Sequence, residues 1–224
     1  MDFLPSSVLQ SLLLVPLTLL PIMNPLGTAP IVLGAAGYKD HVLKRLSRQV
    51  AINSWIVIVV SMLIGTYVLD LFGISLPIVR VGGGLLVAAS AWRMLTGNEG
   101  DKVNEAVAES SSTELSETEI ARRSFFPLTF PLTTGPGSIA AAIALGAQLP
   151  RTPLFYLMGA GVAVIGAAVT TGVVYLVYRN GGRLLMRLGE VGTLVMMRMM
   201  AFVLLCIGIQ ILWTGWAELN HLAR

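Results

Sequence analysis

The chain has 224 residues, 55% of them hydrophobic and 12% charged, with a formal net charge of +3 and a mean hydropathy of +0.78. Soluble domains carry about 25% charged residues, so this composition excludes an ordinary water-soluble fold; the apolar surplus needs lipid as its solvent. The basic residues are scattered along loops and not gathered in one patch, which excludes a nucleic-acid surface.

A membrane-spanning helix needs about 20 mostly apolar residues, and six stretches qualify. The first covers Ser7 to Ala36, with a Pro-Ile-Met-Asn-Pro interruption. Its start carries Asp2 and no basic residue before Leu9 to Leu20, so it reads as a retained helix and not a secretory signal. The second runs from Val50 to Leu71 and the third from Ile74 to Met94. The stretch from Asn98 to Glu119, rich in Ser, Glu and Thr, reads as a flexible linker, with a short helix starting near Leu115 to Ile120. The fourth span covers Ser124 to Leu149, again interrupted by Pro and Gly; the fifth is Pro153 to Tyr178 and the sixth Val191 to Trp216. Five crossings follow instead if one interrupted segment re-enters.

With six crossings, one side of the membrane holds Lys39, Lys44, Arg45, Arg48, Arg93, Lys102, Arg122, Arg123, Arg179, Arg183 and Arg187, and the other only Arg151 and Arg224. Lys/Arg excess marks the cytoplasmic side, so both termini are expected outside a cytoplasmic (inner) membrane. The halves also resemble each other. Arg80 opens RVGGGLLVAASAWRMLTG and Arg198 opens RMMAFVLLCIGIQILWTG, each closing on Thr-Gly at the same spacing. LPIMNPLGTAPIVLG in the first span parallels FPLTTGPGSIAAAIALG in the fourth. Three crossings per half turn the second half upside down. The expected fold is therefore all-α, six transmembrane helices as a 3+3 inverted-topology repeat with helices 1 and 4 interrupted. Residues 1–97 form one repeat, 98–121 the linker and 122–224 the other. Secondary transporters recur on this plan.

Proline removes a helical hydrogen bond and crowds the preceding turn, so both interruptions should unwind. Unwound backbone survives in a membrane only when covered by protein or lining a wet cavity. The candidate solute site is accordingly Asn24, Pro25, Gly27 and Thr28 with Thr133, Thr134, Gly135, Pro136, Gly137 and Ser138. The half-helices beginning near Leu26 and Ser138 should offer free N–H groups to an anion such as a carboxylate. Pro kinks with neighbouring hydroxyls also occur as plain structure, and Asn24 suits a helix cap. Arg80 and Arg198 lie within spans, where Arg is costly; they are candidates for gating, for structural pairing or for snorkelling. Cys206 is the one cysteine, and His41 and His221 have no second ligand at metal spacing. No metal, cofactor or catalytic residue is signalled, and no enzyme is expected.

These elements resemble the MarC family of bacterial and archaeal membrane proteins. The match rests on NPLG with Thr-Ala-Pro (Asn24 to Pro30), PLTTGPGSI (Pro131 to Ile139) and RVGGGLLVAASAWRML from Arg80. The resemblance implies a six-helix inner-membrane protein grouped with transporters of small neutral amino acids such as glycine and alanine. It also implies a site at Asn24, Pro25, Gly27 and Thr28, then Thr134 to Ser138. The expected partners are a small zwitterionic solute and membrane lipid, with no oligomeric state specified. Two other readings stay open: a non-transport scaffold or assembly protein, and a transporter or exporter of another small solute.

Overall fold

A computed structural model describes residues 5–97, 117–149 and 153–222. Among them every regular element is helical: α1 (Pro5–Met23), α2 (Pro25–Ala35), α3 (Asp40–Leu71), α4 (Leu76–Thr96), α5 (Glu117–Arg123), α6 (Ser124–Thr133), α7 (Pro136–Gly146), α8 (Pro153–Arg179) and α9 (Gly181–Leu222). Four of these helices, α3, α4, α8 and α9, are long and apolar enough to cross a membrane; six crossings result if each of two bent pairs is one span. No more than 33% of the most apolar window of any of the four is buried. Side chains such as Leu17, Leu71, Phe72 and Leu157 point outward, as expected where lipid covers the surface. Residues 98–116 of the expected linker lie outside the described residues, and residues 117–123 are helical.

The two bends fall where the prolines are. α1 and α2 meet at 57°, and the α5–α6 segment meets α7 at 70°. At the first bend Asn24 adopts a left-handed backbone, φ 46° and ψ 54°, a conformation Asn tolerates better than most residues. Pro25 then starts α2, where its missing N–H leaves no gap in the bonding. At the second bend Pro127 and Pro131 cannot donate, and the turns of α6 widen. Thr134 N donates to Thr129 O (2.7 Å). Thr129 Oγ1 donates to Ser124 O (2.6 Å) and Thr133 Oγ1 to Leu128 O (2.7 Å). Both hydroxyls thus bond carbonyls five residues back, in step with the widened turns.

α3 starts ten residues before the expected span. Asp40 favours the helix N-terminus, and Val42, Leu43 and Leu46 bury an apolar face there. α9 likewise begins early, at Gly181, and turns at Gly189 (φ 69°) before the apolar run.

Small residues fix helix directions. A Cβ on Gly215 would stand 2.7 Å from Pro77 O, and one on Gly208 2.5 Å from Ala88 N, so α4 and α9 run antiparallel in close contact. Trp55 Nε1 donates to Val164 O (3.2 Å) and Tyr156 OH to Leu63 O (3.3 Å), which makes α3 and α8 antiparallel. Gly166 lies on Val15 while Tyr178 meets Thr28, so α8 runs parallel to α1–α2. Ser54 meets Thr134 and Met62 meets Gly146, so α3 runs parallel to α6–α7.

Candidate functional site

The two bends face each other across a cavity of about 240 Å³. From the first bend, Ile22, Met23, Asn24 and Thr28 line it. From the second come Pro131, Thr133, Gly135, Pro136, Gly137 and Ser138. α4 closes one side with Val87, Ser90, Arg93 and Met94. Seven of the ten residues read from sequence therefore share one space. Pro25, Gly27 and Thr134 stand behind its wall.

Those three have identifiable work. Gly27 N donates to Asn24 Oδ1 (3.2 Å), which makes Asn24 the N-cap of α2. Any Cβ on Gly27 would collide with the Asn24 amide, so the cap requires glycine there. Asn24 Nδ2 points to Met94 Sδ at 4.0 Å. Thr134 Oγ1 donates to Ser54 Oγ (2.8 Å), tying the second bend to α3.

The two half-helices differ at their starts. At α2 the Asn24 side chain already takes the Gly27 N–H, and Pro25 has none. At α7 Gly135 is the N-cap and no side chain caps the helix. The N–H groups of Gly137 and Ser138 belong to its first turn, where a partial positive charge is exposed to the cavity. Glycine at 137 also lets α4 approach α7 closely, because a Cβ there would strike Val87 Cγ2. The same cavity has Arg93 at its α4 side, where Nη2 donates to Ser90 Oγ (3.3 Å).

Behind the cavity sits Tyr178, fully buried at the end of α8. Its hydroxyl lies 2.8 Å from Thr28 Oγ1 and 2.8 Å from Thr133 Oγ1. Thr28 Oγ1 also reaches Asn24 O (3.0 Å), and Thr133 Oγ1 reaches Leu128 O (2.7 Å). This chain has four contacts but three hydroxyl protons, so three bonds form at a time. Sequence reading missed Tyr178, Ser54 and the α4 wall. A tyrosine at the end of an apolar run carries no local mark, and only its partners 150 and 45 residues away reveal it.

Arg80 pairs with Glu218 of α9. It lines a second cavity of about 310 Å³ with Thr18, Gln148, Gln210 and Thr214. Ile22 borders both cavities, and α7 separates them, with Gly137 and Ser138 on one side and Ala140, Ala141 and Ala144 on the other. Arg198 is exposed and lines neither cavity. No group of three or more His, Cys, Asp or Glu at metal spacing occurs among the described residues.

A chain whose described elements are all helical, with four to six candidate spans, outward-facing apolar side chains and a cavity between two bends, is a multi-pass integral membrane protein. Comparison narrows the class. The profile described as MarC family integral membrane protein matches residues 9–219. The inner membrane protein MarC of Escherichia coli O157:H7 is 32% identical over 209 residues, covering 91% of this chain and 94% of that relative. The MarC proteins of E. coli K12 and Shigella flexneri are each 31% identical over 204 residues, covering 90% of this chain and 91% of theirs. No solved structure matches. The chain belongs to the MarC family of inner membrane proteins.

Proposed function

We propose that the protein is a secondary transporter of small neutral amino acids, working by alternating access around the cavity between the two bends. The observation that carries this reading is the cavity itself, which gathers Asn24, Thr28, Thr133 and Gly135 to Ser138 from both halves. Its volume, about 240 Å³, lies below the roughly 300–1,000 Å³ of pockets for drug-sized ligands, which favours a small solute. The open N-terminus of α7, with Arg93 nearby, suits a carboxylate. The ammonium would rest on hydroxyl and carbonyl oxygens such as those at Ser90 and Thr133.

Helix directions support a 3+3 inverted repeat. In that arrangement each helix of one half should run antiparallel to its counterpart, as α4 does to α9 and α3 to α8. The parallel run of α1–α2 with α8, and of α6–α7 with α3, supports reading each bent pair as one broken span. The cavities support alternating access. Arg93, near the α4 C-terminus, lines the first, and Arg80, near the α4 N-terminus, lines the second. Ile22 and the start of α7 stand between them as a thin barrier. Lys/Arg bias supports a cytoplasmic Arg93 end and termini on the outside.

Reconstitution into liposomes tests the reading. Saturable counterflow of glycine, alanine or serine is expected from the wild-type protein, and its loss in Ser138→Leu, which fills the cavity. No counterflow of any of the three, or an unimpaired Ser138→Leu variant, overturns it.

A further inference from the structure

A second kind of site lies away from the bends. The turn between α2 and α3 and the junction of α8 with α9 enclose a cavity of about 460 Å³ at one end of the bundle. Its polar groups are Asp40, Lys44, Arg179, Asn180 and Arg183. Asp40 is already matched with Lys44 at 3.1 Å, which leaves the two arginines as uncompensated charge. Arg179 is held against Tyr175, its guanidinium 5.8 Å from the ring centroid and Nη1 2.9 Å from the hydroxyl. Arg183 is exposed and makes no side-chain hydrogen bond or ion pair among the described residues. It stands in the first turn of α9, which begins at Gly181 beside the cavity, and Leu184 N is the first to bond back, to Asn180 O at 3.1 Å. Two arginines and a helix start bordering one space match a phosphate group.

The remaining walls are apolar. Leu33 and Leu43 are buried, while Leu176, Met186 and Tyr38 are exposed, Met186 and Tyr38 at 78% each. A free phosphate has no use for such walls, whereas a phospholipid places its phosphate at the charged end and its chains along the apolar one. The position fits as well. Lys39, Lys44, Arg45, Arg48, Arg179, Arg183 and Arg187 all belong to this end of the bundle, and basic pockets between helices at the cytoplasmic surface bind anionic headgroups. We propose that this cavity binds the phosphate of an anionic membrane phospholipid through Arg179 and Arg183. The proposal stands on integral membrane placement alone and is independent of transport.

The test uses the full chain purified in detergent, with phosphatidylglycerol, phosphatidylcholine of the same chains and inorganic phosphate as probes. Lipid retention by native mass spectrometry and the unfolding midpoint are the readouts. Phosphatidylglycerol should be retained and raise the midpoint, and the other two probes should not. Arg179→Gln with Arg183→Gln should weaken phosphatidylglycerol binding roughly 30-fold, the effect of two interfacial charges. Arg183→Gln alone, at an exposed position where folding is not at stake, should weaken it about 5-fold. Arg122→Gln with Arg187→Gln removes the same charge outside the cavity and should leave binding near wild type. Equal binding of the two lipids overturns the proposal. So does an equal loss in the control pair, or inorganic phosphate stabilising as well as phosphatidylglycerol.

Discussion

The hydroxyl chain at Tyr178 permits a prediction in which the sign of one mutation reverses with its background. In the wild-type protein three hydroxyl protons serve four contacts, from Asn24 O through Thr28, Tyr178 and Thr133 to Leu128 O. Tyr178→Phe removes one proton and two contacts. Thr28 and Thr133 then donate to their backbone carbonyls, and no polar group is orphaned. The net loss is one hydrogen bond, about 1 kcal/mol. Thr28→Val or Thr133→Val alone has the same consequence, since the remaining pair still finds acceptors. The double Thr→Val variant is different. It breaks every bond in the chain and strands a fully buried phenol hydroxyl, which adds about 1–3 kcal/mol of uncompensated burial. Its cost should exceed the sum of the single costs. Adding Tyr178→Phe to that double variant should then stabilise the protein, because the stranded group is gone. Unfolding in mixed micelles, followed by tryptophan fluorescence, measures all of these. If Tyr178→Phe destabilises both backgrounds equally, or if the two threonines prove additive, the bonding count is wrong.

Three further outcomes follow from other parts of the site. Asn24→Ala should cost about 1 kcal/mol through loss of the α2 cap and more from its positive φ, whereas Asn24→Gly should be milder; the same unfolding assay ranks them, and equal effects would contradict the geometry. Gly137→Ala, whose Cβ would strike Val87, should destabilise by about 1–3 kcal/mol, with Val87→Ala in the same chain restoring most of the loss; a failed rescue would place the constraint elsewhere. Ile22→Ala thins the barrier between the two cavities, so proteoliposomes carrying it should leak small solutes without exchange, and an intact barrier would refute the assignment of Ile22.

Much of this architecture was legible locally. The long apolar runs announce the spans, because burial in lipid is a property of composition. The bends at Asn24 and at Gly135–Pro136 were also legible, because proline cannot donate wherever the chain goes. A cap was one of the two roles open to Asn24, and its acceptor role toward Gly27 realises it. The difference between the two helix starts was not legible. A side chain that satisfies a helix start removes it as a binding surface, and that competition is decided only by where the Asn24 amide points.

Arg80 and Arg198 show where sequence ends. They open two stretches that align in sequence, yet Arg80 pairs with Glu218 while Arg198 is exposed. In the register that aligns them, the position matching Glu218 is Gly100, so the pairing has no counterpart. Tyr178, Ser54 and Arg93 were equally silent, because a hydroxyl or guanidinium acquires a role from neighbours that lie far off in the chain. Sequence by itself determined that this protein lies in a membrane and where its helical path bends, since hydropathy and proline chemistry act within a turn or two. Tertiary structure alone decided which groups face one cavity, which helix start stays open and which tyrosine joins the two bends, since those depend on helices meeting across the bundle.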